Sequence, residues 1–400
     1  MNYDVCVVGG TGHIGLPLAI AFANEGKKVI ACGRNQEKID LINQGKMPFM
    51  EEGSEEVLKK VIKKTLFLSS NLEVIKNSKF IIIATGTPVD EHLNPRYTDM
   101  KKFFEEITQF FKNDHIVVLR STLYPTTTGK IQELLKKDHP KIEVTFCPER
   151  LAEGKAMEEL YTLPQIVSGF SEKGIREVSK LFSLLTKDIL VVSPLEAELA
   201  KLFTNSWRYI QFAAANQFYT LAEDYGVDFY KIYDVMKYKY PRTKTFPKAG
   251  FAAGPCLFKD TMQISAFSNN KFFLGHAAML MNEGLPNFIV ESLKKQYPLA
   301  EKTVGILGMA FKAENDDKRE SLSYKLRKIL EIESKETLCS DAYIKEDYFV
   351  SEEELIKKSD IIIIGAPHKR YKNLDYKNKL VIDIWNLRNK RGISDLRSTE

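Results

Sequence analysis

The stretch YDVCVVGGTGHIG, residues 3–15, decides the fold of the first part of the chain. Its apolar run Tyr3–Val8 predicts a buried β-strand, and the glycines after it predict a tight turn into a helix. In such a unit Gly10 permits the turn, Gly12 lets the backbone approach a pyrophosphate, and Gly15 lets the helix pack on the strand. The helix start also favours anionic phosphates. We therefore predict a dinucleotide site formed by Gly10, Gly12, His13, Ile14 and Gly15.

Strand and helix patterns alternate through the rest of the first half. A helical pattern over Leu16–Asn24 follows the glycine loop, and short apolar runs then recur at intervals. This alternation predicts a parallel sheet with helices on both faces. The predicted later strands are Val29–Cys32, Phe80–Ala84, Ile116–Arg120, Ile142–Phe146 and Ile189–Val192.

The middle of the chain is helical, and the α/β pattern returns after it. Leu195–Tyr225 contains no Gly or Pro and predicts one long helix of about 45 Å. We predict an α/β fold with two Rossmann-like parallel-sheet domains joined by a helical central domain with that long connecting helix, with domains 1–194, 195–298 and 299–400. Further helices are predicted at Val227–Tyr240 and Asp260–Ser268, and further strands at Thr303–Leu307, Thr337–Leu338, Asp360–Gly365 and Leu380–Ile384.

Composition excludes several classes of protein. The 400 residues carry a mild net charge of +5, and no basic run is dense enough to indicate nucleic-acid binding. No apolar stretch approaches the roughly 20 residues of a membrane span, and we expect no signal peptide before the first strand. The five cysteines form neither a disulfide framework nor a metal-binding pair. We expect a cytoplasmic protein without a metal.

The end of the second predicted strand departs from the usual NAD pattern. An acidic residue is expected there to bind the ribose hydroxyls of NAD. Gly33 stands in its place and Arg34 follows. A guanidinium beside a small residue favours a 2′-phosphate, so NADP stays open beside NAD; the competing interpretation is an Arg34 that only stacks on adenine.

A second loop carries a cysteine in an unusual setting. The segment GFAAGPCLFKD, residues 250–260, places Cys256 after a Gly/Ala-rich run and immediately before a helical pattern. A helix start favours the thiolate, and a cation such as Lys259 would add to that effect. Most cysteines outside disulfides are small buried residues, however, and Cys256 alone would be interpreted in that way.

The order of several motifs along the chain favours a reactive Cys256 over a structural one. The chain resembles the UDP-glucose/GDP-mannose dehydrogenase family from end to end. The matching segments are Gly10–Gly15, Gly86-Thr87-Pro88, Ser121-Thr122, Cys147–Gly154, Lys201 and Asn205, Gly250–Asp260, Asn282–Pro286, Gly308–Lys312, Asp316–Ser321, Asp341 and His368.

The resemblance implies two oxidations at C6 of a nucleotide-linked hexose, through a cysteine thiohemiacetal and a thioester. Cys256 is then the nucleophile, and Lys201 and Asn205, one helical turn apart, stabilise the oxyanion. Asp260 and Glu149 are the acid/base candidates, and they need pKa values moved toward neutral to act as bases. Thr122 is implied to hold the water. Thr87, Pro88, Thr122 and Lys259 are implied contacts of the cofactor.

The resemblance also implies the residues that bind the UDP-sugar, and a homodimer formed through the long helix. The hexose stays open between UDP-glucose and UDP-N-acetylhexosamines, and the product is expected to serve polysaccharide synthesis. The implied substrate contacts are Glu149, Leu151, Glu153, Lys201, Asn205, Arg242, Phe251, Gly254, Phe311, Lys312 and Arg319. A structural ion pair with Asp316 or Asp317 is the alternative for Arg319.

Two other functions compete with this one. A 3-hydroxyacid or 6-phosphogluconate type of dehydrogenase would share the layout but use no thiol. A nucleotide-binding redox sensor would use the scaffold without catalysis. The effect of Cys256→Ser on turnover distinguishes the first from the covalent route, and the reduction of two cofactors per sugar excludes the second.

Overall fold

The computed structural model describes residues 3–86, Asp90 and 96–389. The chain divides into two compact units, residues 1–204 and 205–400. The α/β class, with two Rossmann-type sheets and a long helix, is confirmed. The division into three domains stays a prediction.

The first unit contains an eight-stranded sheet with strand order β3-β2-β1-β4-β5-β6-β7-β8. Its strands are β1 Tyr3–Val8, β2 Val29–Cys32, β3 Leu66–Ser69, β4 Ser78–Ile83, β5 Ile116–Leu119, β6 Glu143–Phe146, β7 Gln165–Gly169 and β8 Ile189–Val191. Its helices are α1 Gly15–Asn24, α2 Gln36–Asn43, α3 Ser54–Val61, α4 Tyr97–Ile107, α5 Thr127–Lys136, α6 Ala156–Thr162 and α7 Glu172–Phe182.

The sheet is parallel with one exception. β7 runs antiparallel to β6, which corrects the prediction of a parallel sheet throughout. Alternation of strands and helices does not encode strand direction, and doubly wound sheets often carry an antiparallel strand toward one edge. The prediction also missed two strands, β7 itself and β3, of which only Leu66 is fully buried.

Both faces of this sheet are covered, which explains the buried apolar run Val5–Val8 in β1. Val5 and Val7 pack on one face with α1, while Cys6 and Val8 pack on the other with Phe104. β1 pairs with β2 on one side and with β4 on the other. The loop after β1 therefore lies where the strand order reverses, which is the usual ligand site of an open parallel sheet.

The long predicted helix is present as α8, Pro194–Asp224, with 31 residues. The second unit continues with α9 Phe229–Lys237, α10 Leu257–Phe267, α11 Phe273–Lys294, β9 Thr303–Leu307, α12 Leu322–Glu333, β10 Glu336–Ser340, α13 Glu352–Lys358, β11 Ile361–Ile364 and β12 Leu380–Ile382. Short 3-10 segments occupy Leu72–Asn77, Thr108–Phe110, Pro241–Thr243, Leu299–Glu301 and Lys369–Asn373.

The second sheet is fully parallel, with order β10-β9-β11-β12. Here too the strand order reverses beside the strand that opens the sheet, so the loops after β9 and β11 flank a candidate ligand site. Within the described part of the chain, each helix is too short or too polar to cross a bilayer.

Candidate active site

The glycine loop has a geometry suited to a pyrophosphate. A side chain at Gly10 would collide with Ala31, at 2.7 Å, and one at Gly15 would lie 2.3 Å from the carbonyl oxygen of Gly9. At Gly12 the nearest atom to an added Cβ is 3.5 Å away, so the protein itself does not require glycine there. This open space at the start of α1 fits a bound phosphate.

The left-handed turn residue is Gly9, with a φ of 83°, rather than Gly10 as the motif suggested. Ile14 is the residue that precedes α1, and the ring of His13 stacks on Phe49 with centroids 4.0 Å apart. The predicted cofactor residues of this loop therefore lie together around the beginning of one helix.

The end of β2 differs from the usual NAD site for a steric reason. A Cβ at Gly33 would lie 2.2 Å from Oγ1 of Thr11, so an acidic side chain cannot occupy that position as the loop stands. The side chain of Arg34 is exposed. Thr87 and Pro88, the other predicted cofactor contacts, lie outside the described residues.

Glu149 is buried at the carboxyl end of the first sheet and pairs with a buried arginine. Oε2 of Glu149 lies 3.1 Å from an NH2 donor of Arg120, and Oε1 accepts a hydrogen bond from the backbone N–H of Leu151. Only 5% of Glu149 is exposed. Both carboxylate oxygens of Glu149 therefore have fixed hydrogen-bond donors, and its role as a base stays a prediction. Thr122 is half-buried two residues after Arg120.

The loop that follows Glu149 is held by a residue that the sequence did not single out. The carboxylate of Glu51 accepts hydrogen bonds from the backbone N–H groups of Gly154, at 2.9 Å, and Ala156, at 2.6 Å. This contact fixes the backbone around the predicted substrate residues Leu151 and Glu153. Glu51 is about 100 positions away in sequence, and an acidic residue in a polar loop gives no local signal of such a contact.

Lys201 and Asn205 are both buried on α8, one helical turn apart, as the spacing predicted. Nδ2 of Asn205 donates to Oδ2 of Asp260 at 2.6 Å, and Asp260 is fully buried in the first turn of α10. The predicted oxyanion residue and the predicted base are thus directly bonded within the second unit.

Cys256 is the residue that precedes the first turn of α10, and it is exposed. Its carbonyl oxygen accepts the helical hydrogen bond from the N–H of Asp260 at 2.9 Å. The sequence therefore placed the thiol correctly at a helix start, where the backbone dipoles favour a thiolate. Lys259 is half-buried on the same helical turn.

The other four cysteines are buried, as predicted. Burial raises the pKa of Cys147 to about 12 and that of Cys339 to about 12. The hydrogen bond with Cys32 and burial raise the pKa of Cys6 well above its usual value. Within the described residues, Cys256 is the only exposed thiol.

The loop that carries Cys256 is anchored at its beginning by two buried asparagines. Oδ1 of Asn216 accepts the N–H of Gly250 at 2.8 Å, while its Nδ2 donates to Asn282 at 2.9 Å. A Cβ at Gly250 would lie 2.2 Å from the ring of Trp385. Asn282 belongs to a segment that matches the family, whereas Asn216 was not predicted, because a lone Asn on a long helix carries no distinguishing pattern.

Several predicted substrate residues meet at the loop after β9. Gly254, with a φ of 102°, lies against the ring of Phe311, and its N–H donates to the carbonyl oxygen of Glu320 at 3.3 Å. Phe251 packs edge-on against Trp385. Because Gly254 lies against Phe311, the Cys256 loop and the loop after β9 form one surface of the second unit. The half-buried Lys312 follows Phe311 on this surface.

Two predicted substrate contacts, Arg319 and Arg242, have partners within the protein. Arg319 forms the ion pair with Asp317 that was its alternative assignment, with Nε 2.8 Å from Oδ2. Half of the Arg319 side chain remains exposed. Arg242 is exposed and hydrogen-bonded to the hydroxyl of Tyr240 at 3.1 Å.

A buried Asp–His pair supports the loop after β9. Oδ2 of Asp341 accepts the N–H groups of Met309, at 2.6 Å, and Ala310, at 3.0 Å. His368 accepts the N–H of Glu314 on Nδ1 at 2.9 Å, so its Nε2 carries the proton that faces Asp341 at 3.3 Å. Although burial opposes it, the hydrogen bond with His368 holds the pKa of Asp341 below its usual value.

Comparison with known families agrees with this layout. The UDP-glucose/GDP-mannose dehydrogenase family matches in three parts: its NAD binding domain over residues 3–186, its central domain over 195–283 and its UDP binding domain over 305–390. The chain belongs to this family. The predicted family is confirmed, and with it NAD as the cofactor. Members of this family are oxidoreductases that act on nucleotide sugars.

Individual relatives extend over nearly the whole chain. UDP-N-acetyl-D-mannosamine dehydrogenase of Methanocaldococcus jannaschii is 30% identical over 96% of this chain and 93% of its own length. The solved structure of UDP-D-ManNAc dehydrogenase from Pyrococcus horikoshii has a TM-score of 0.90 at 28% identity, covering 98% of this chain and 97% of that one. A UDP-glucose dehydrogenase structure from Pyrobaculum islandicum, at 24% identity and a TM-score of 0.86, shares the fold.

Proposed function

We propose that this member of the UDP-glucose/GDP-mannose dehydrogenase family oxidises the C6 alcohol of a UDP-linked N-acetylhexosamine to a carboxylate through a covalent bond to Cys256. The observation that carries the proposal is the position of Cys256. It is an exposed thiol at the start of α10, one turn before the buried Asp260, which Asn205 holds by a hydrogen bond.

The chemistry balances as two oxidations and one hydrolysis. The alcohol loses a hydride and a proton to give an aldehyde, and the thiolate of Cys256 adds to the aldehyde carbon to give a thiohemiacetal. Loss of a second hydride and proton gives a thioester. Water then cleaves the C–S bond, which releases the carboxylate and restores the thiolate. When bound, NAD accepts one hydride in each oxidation, so each sugar consumes two NAD.

The chain supplies a group for each charge that develops. Lys201 and Asn205 present an ammonium and an amide from successive turns of α8, which suits an oxyanion on C6. Asp260 accepts the proton of the hydrolytic water, and Glu149, with Thr122, orients water and takes the proton of the alcohol. Gly10, Gly12 and Gly15, with the start of α1, hold the pyrophosphate of the cofactor.

The remaining assigned residues bind the sugar nucleotide. Phe311 and Phe251 supply ring surfaces, and Lys312 and Arg319 supply cations for the diphosphate. Leu151 and Glu153, on the loop fixed by Glu51, contact the hexose. The names of the relatives favour UDP-N-acetyl-D-mannosamine as the first substrate to test.

One assay tests both the number of NADH formed per sugar and the covalent step at Cys256. With UDP-N-acetyl-D-mannosamine in limiting amount, we expect two NADH per sugar and an acidic product. Cys256→Ser should lower overall turnover by at least about 10²-fold, because the thioester cannot form. Mass spectrometry of the quenched wild-type enzyme should find the uronyl adduct on the peptide that contains Cys256.

Cys339→Ala is the matched control, because this buried thiol lies outside the proposed chemistry. It should keep two NADH per sugar. Unchanged carboxylate formation by Cys256→Ser would leave a dehydrogenase that works without the thiol. A panel with UDP-glucose, UDP-N-acetylglucosamine and GDP-mannose decides the hexose: faster turnover of UDP-glucose would overturn the N-acetylhexosamine assignment while leaving the covalent route in place.

A further inference from the structure

Arg120 is a buried arginine whose two terminal nitrogens both donate hydrogen bonds, while its Nε has no hydrogen-bond partner among the described residues. It follows β5 directly and is 1% exposed. One terminal nitrogen donates to Oε1 of Gln165 at 2.6 Å and to the carbonyl oxygen of Cys147 at 3.0 Å. The guanidinium lies over the ring of Phe182, 5.2 Å from the centroid. These contacts fix the guanidinium plane from three directions.

The other terminal nitrogen of Arg120 is directed at Glu149. It donates to Oε2 at 3.1 Å, and the backbone N–H of Glu149 donates to the carbonyl oxygen of Arg120 at 3.2 Å. Because Oε1 of Glu149 is also bonded, to the N–H of Leu151, both carboxylate oxygens have fixed donors. Arg120 thus binds Glu149 through both its guanidinium and its main-chain carbonyl group.

A buried ion pair of this kind carries a desolvation cost, so a functional role explains it better than fold stability alone. Removing two such charges from water costs several kcal/mol, and apolar residues of similar volume often stabilise equally well. Arg120 follows β5 and lies two residues before Thr122, while Glu149 follows β6. The pair therefore lies at the edge of the sheet where catalytic residues of such folds concentrate.

We infer that Arg120 is a positioning residue, which fixes the orientation of the Glu149 carboxylate for proton transfer at the sugar C6. The inference rests on the proposed function, because Glu149 has no proton to move without it. Arginine suits the task better than lysine, since its planar fork can donate to Glu149, Gln165 and a carbonyl group at the same time.

The test is a double-mutant cycle on kcat with Arg120→Met and Glu149→Gln. If Arg120 acts through Glu149, each single variant should lower kcat by about 10²-fold, and the double variant should be no slower than Glu149→Gln alone. KM for the UDP-sugar and for NAD should change by less than about threefold, because Arg120 is only 1% exposed and is expected to act through Glu149. Arg120→Lys should recover part of the lost kcat, since it restores the charge without the fork.

Thr145→Val is the control for a purely structural effect. Thr145 is fully buried on β6, and its hydroxyl donates to the carbonyl oxygen of Val117 at 3.1 Å. This variant should lower the thermal midpoint but leave kcat unchanged, alone or together with Glu149→Gln. Should Arg120→Met not yield folded protein, Arg120→Lys takes its place in the same cycle.

Multiplicative losses of kcat in the double variant would overturn the role of Arg120, and so would an effect confined to KM or to thermal stability. Either result can occur in an enzyme that still forms two NADH per sugar. Absence of sugar-dependent NADH formation by the wild type would instead overturn the proposed function, so the two failures are distinguishable.

Discussion

Nδ2 of Asn205 donates a hydrogen bond to Oδ2 of Asp260 at 2.6 Å, and both side chains are buried. The bond joins α8 to the first turn of α10, the turn that begins at Cys256. The amide of Asn205 holds the carboxylate of Asp260 in place by this hydrogen bond and carries no charge of its own. The arrangement therefore suits an Asp260 that acts as a base close to the thiol.

Exchanging the two side chains should separate stability from catalysis. Asn205→Asp places two carboxylates in one buried position and should lower the free energy of unfolding by about 2–4 kcal/mol. Asp260→Asn keeps an acceptor for Asn205, so the fold should tolerate it, but kcat should fall by about 10²-fold or more. The double exchange restores an amide–carboxylate pair and should recover the stability but not the activity. Urea unfolding and initial rates measure both; recovery of kcat in the double variant would argue against a base at position 260.

The Asp341–His368 pair gives a stability prediction with a defined sign. Because the folded pKa of Asp341 lies below its usual value, its contribution is fully present above about pH 4 and is lost as pH falls through the folded pKa. Asp341→Asn should therefore lower the free energy of unfolding by about 2–4 kcal/mol at pH 7, and the difference from wild type should shrink in acid.

The matched control is the exposed Asp347 on the same segment, where Asn should change the unfolding free energy by less than about 0.5 kcal/mol. Asp341→Asn should also raise KM for the UDP-sugar, since Asp341 holds the backbone that leads to Phe311. A variant with normal KM would mean that the loop keeps its shape without the carboxylate.

Much of the fold follows from local pattern, and the misses share a physical cause. The glycine loop, the start of the Cys256 helix and the 31-residue α8 were predictable, because glycine spacing and uninterrupted helical periodicity are local signals. The helix α11 was missed because Pro286 lies inside it. Proline removes one N–H from a helix and therefore usually marks its end.

The site shows the same division between local and long-range signals. The family resemblance singles out Cys256, Lys201 and Asn205, whereas Glu51 and Asn216 act through contacts that only the folded chain creates. The identity of the partner of Glu149 was likewise invisible, since Arg120 looked like the last residue of a strand. Polar residues that support a loop from a distant segment leave no periodic trace.

His115 should make the first unit sensitive to mild acid. Burial lowers the pKa of His115 to about 4, while its Nδ1 accepts the N–H of Lys112 at 3.2 Å. Since the unfolded chain binds the proton near pH 6.5, this contribution is complete above pH 6.5 and falls by about 2 kcal/mol at pH 5. His115→Asn keeps an acceptor for Lys112 but does not titrate, so the variant should lose less stability between pH 7.5 and pH 5.

Chemical denaturation at the two pH values measures this difference. His139→Gln, on a partly buried imidazole that contacts Thr108, is the comparison and should keep most of the wild-type acid sensitivity. Equal acid sensitivity in the wild type and His115→Asn would assign the effect to carboxylates instead.

The second unit presents apolar side chains that a second copy of the chain would cover. Tyr225, at the end of α8, is 81% exposed, and Val235 and Tyr238 on and after α9 are 78% and 72% exposed. We expect a homodimer that buries these side chains, because large exposed apolar side chains favour association. Val235→Lys should shift the protein toward monomer in light-scattering chromatography, while Lys231→Ala, an exposed change on the same helix, should not. A monomeric wild type at micromolar concentration would contradict the expectation.

The exposed Arg34 bears on the choice between NAD and NADP. Arg34 is exposed at the end of β2, where it can meet a 2′-phosphate, so we expect NADP to be accepted beside NAD. Arg34→Ala should lower kcat/KM for NADP by about 10-fold or more and change the value for NAD little. Restoring an acid by Gly33→Asp alone should impair both cofactors, because the new Cβ would collide with Thr11, 2.2 Å away. Gly33→Asp with Thr11→Gly removes the collision and should favour NAD strongly, since a carboxylate binds the ribose hydroxyls and repels a 2′-phosphate. An unchanged NAD to NADP ratio in Arg34→Ala would show that Arg34 does not contact the phosphate, whichever cofactor the wild type prefers.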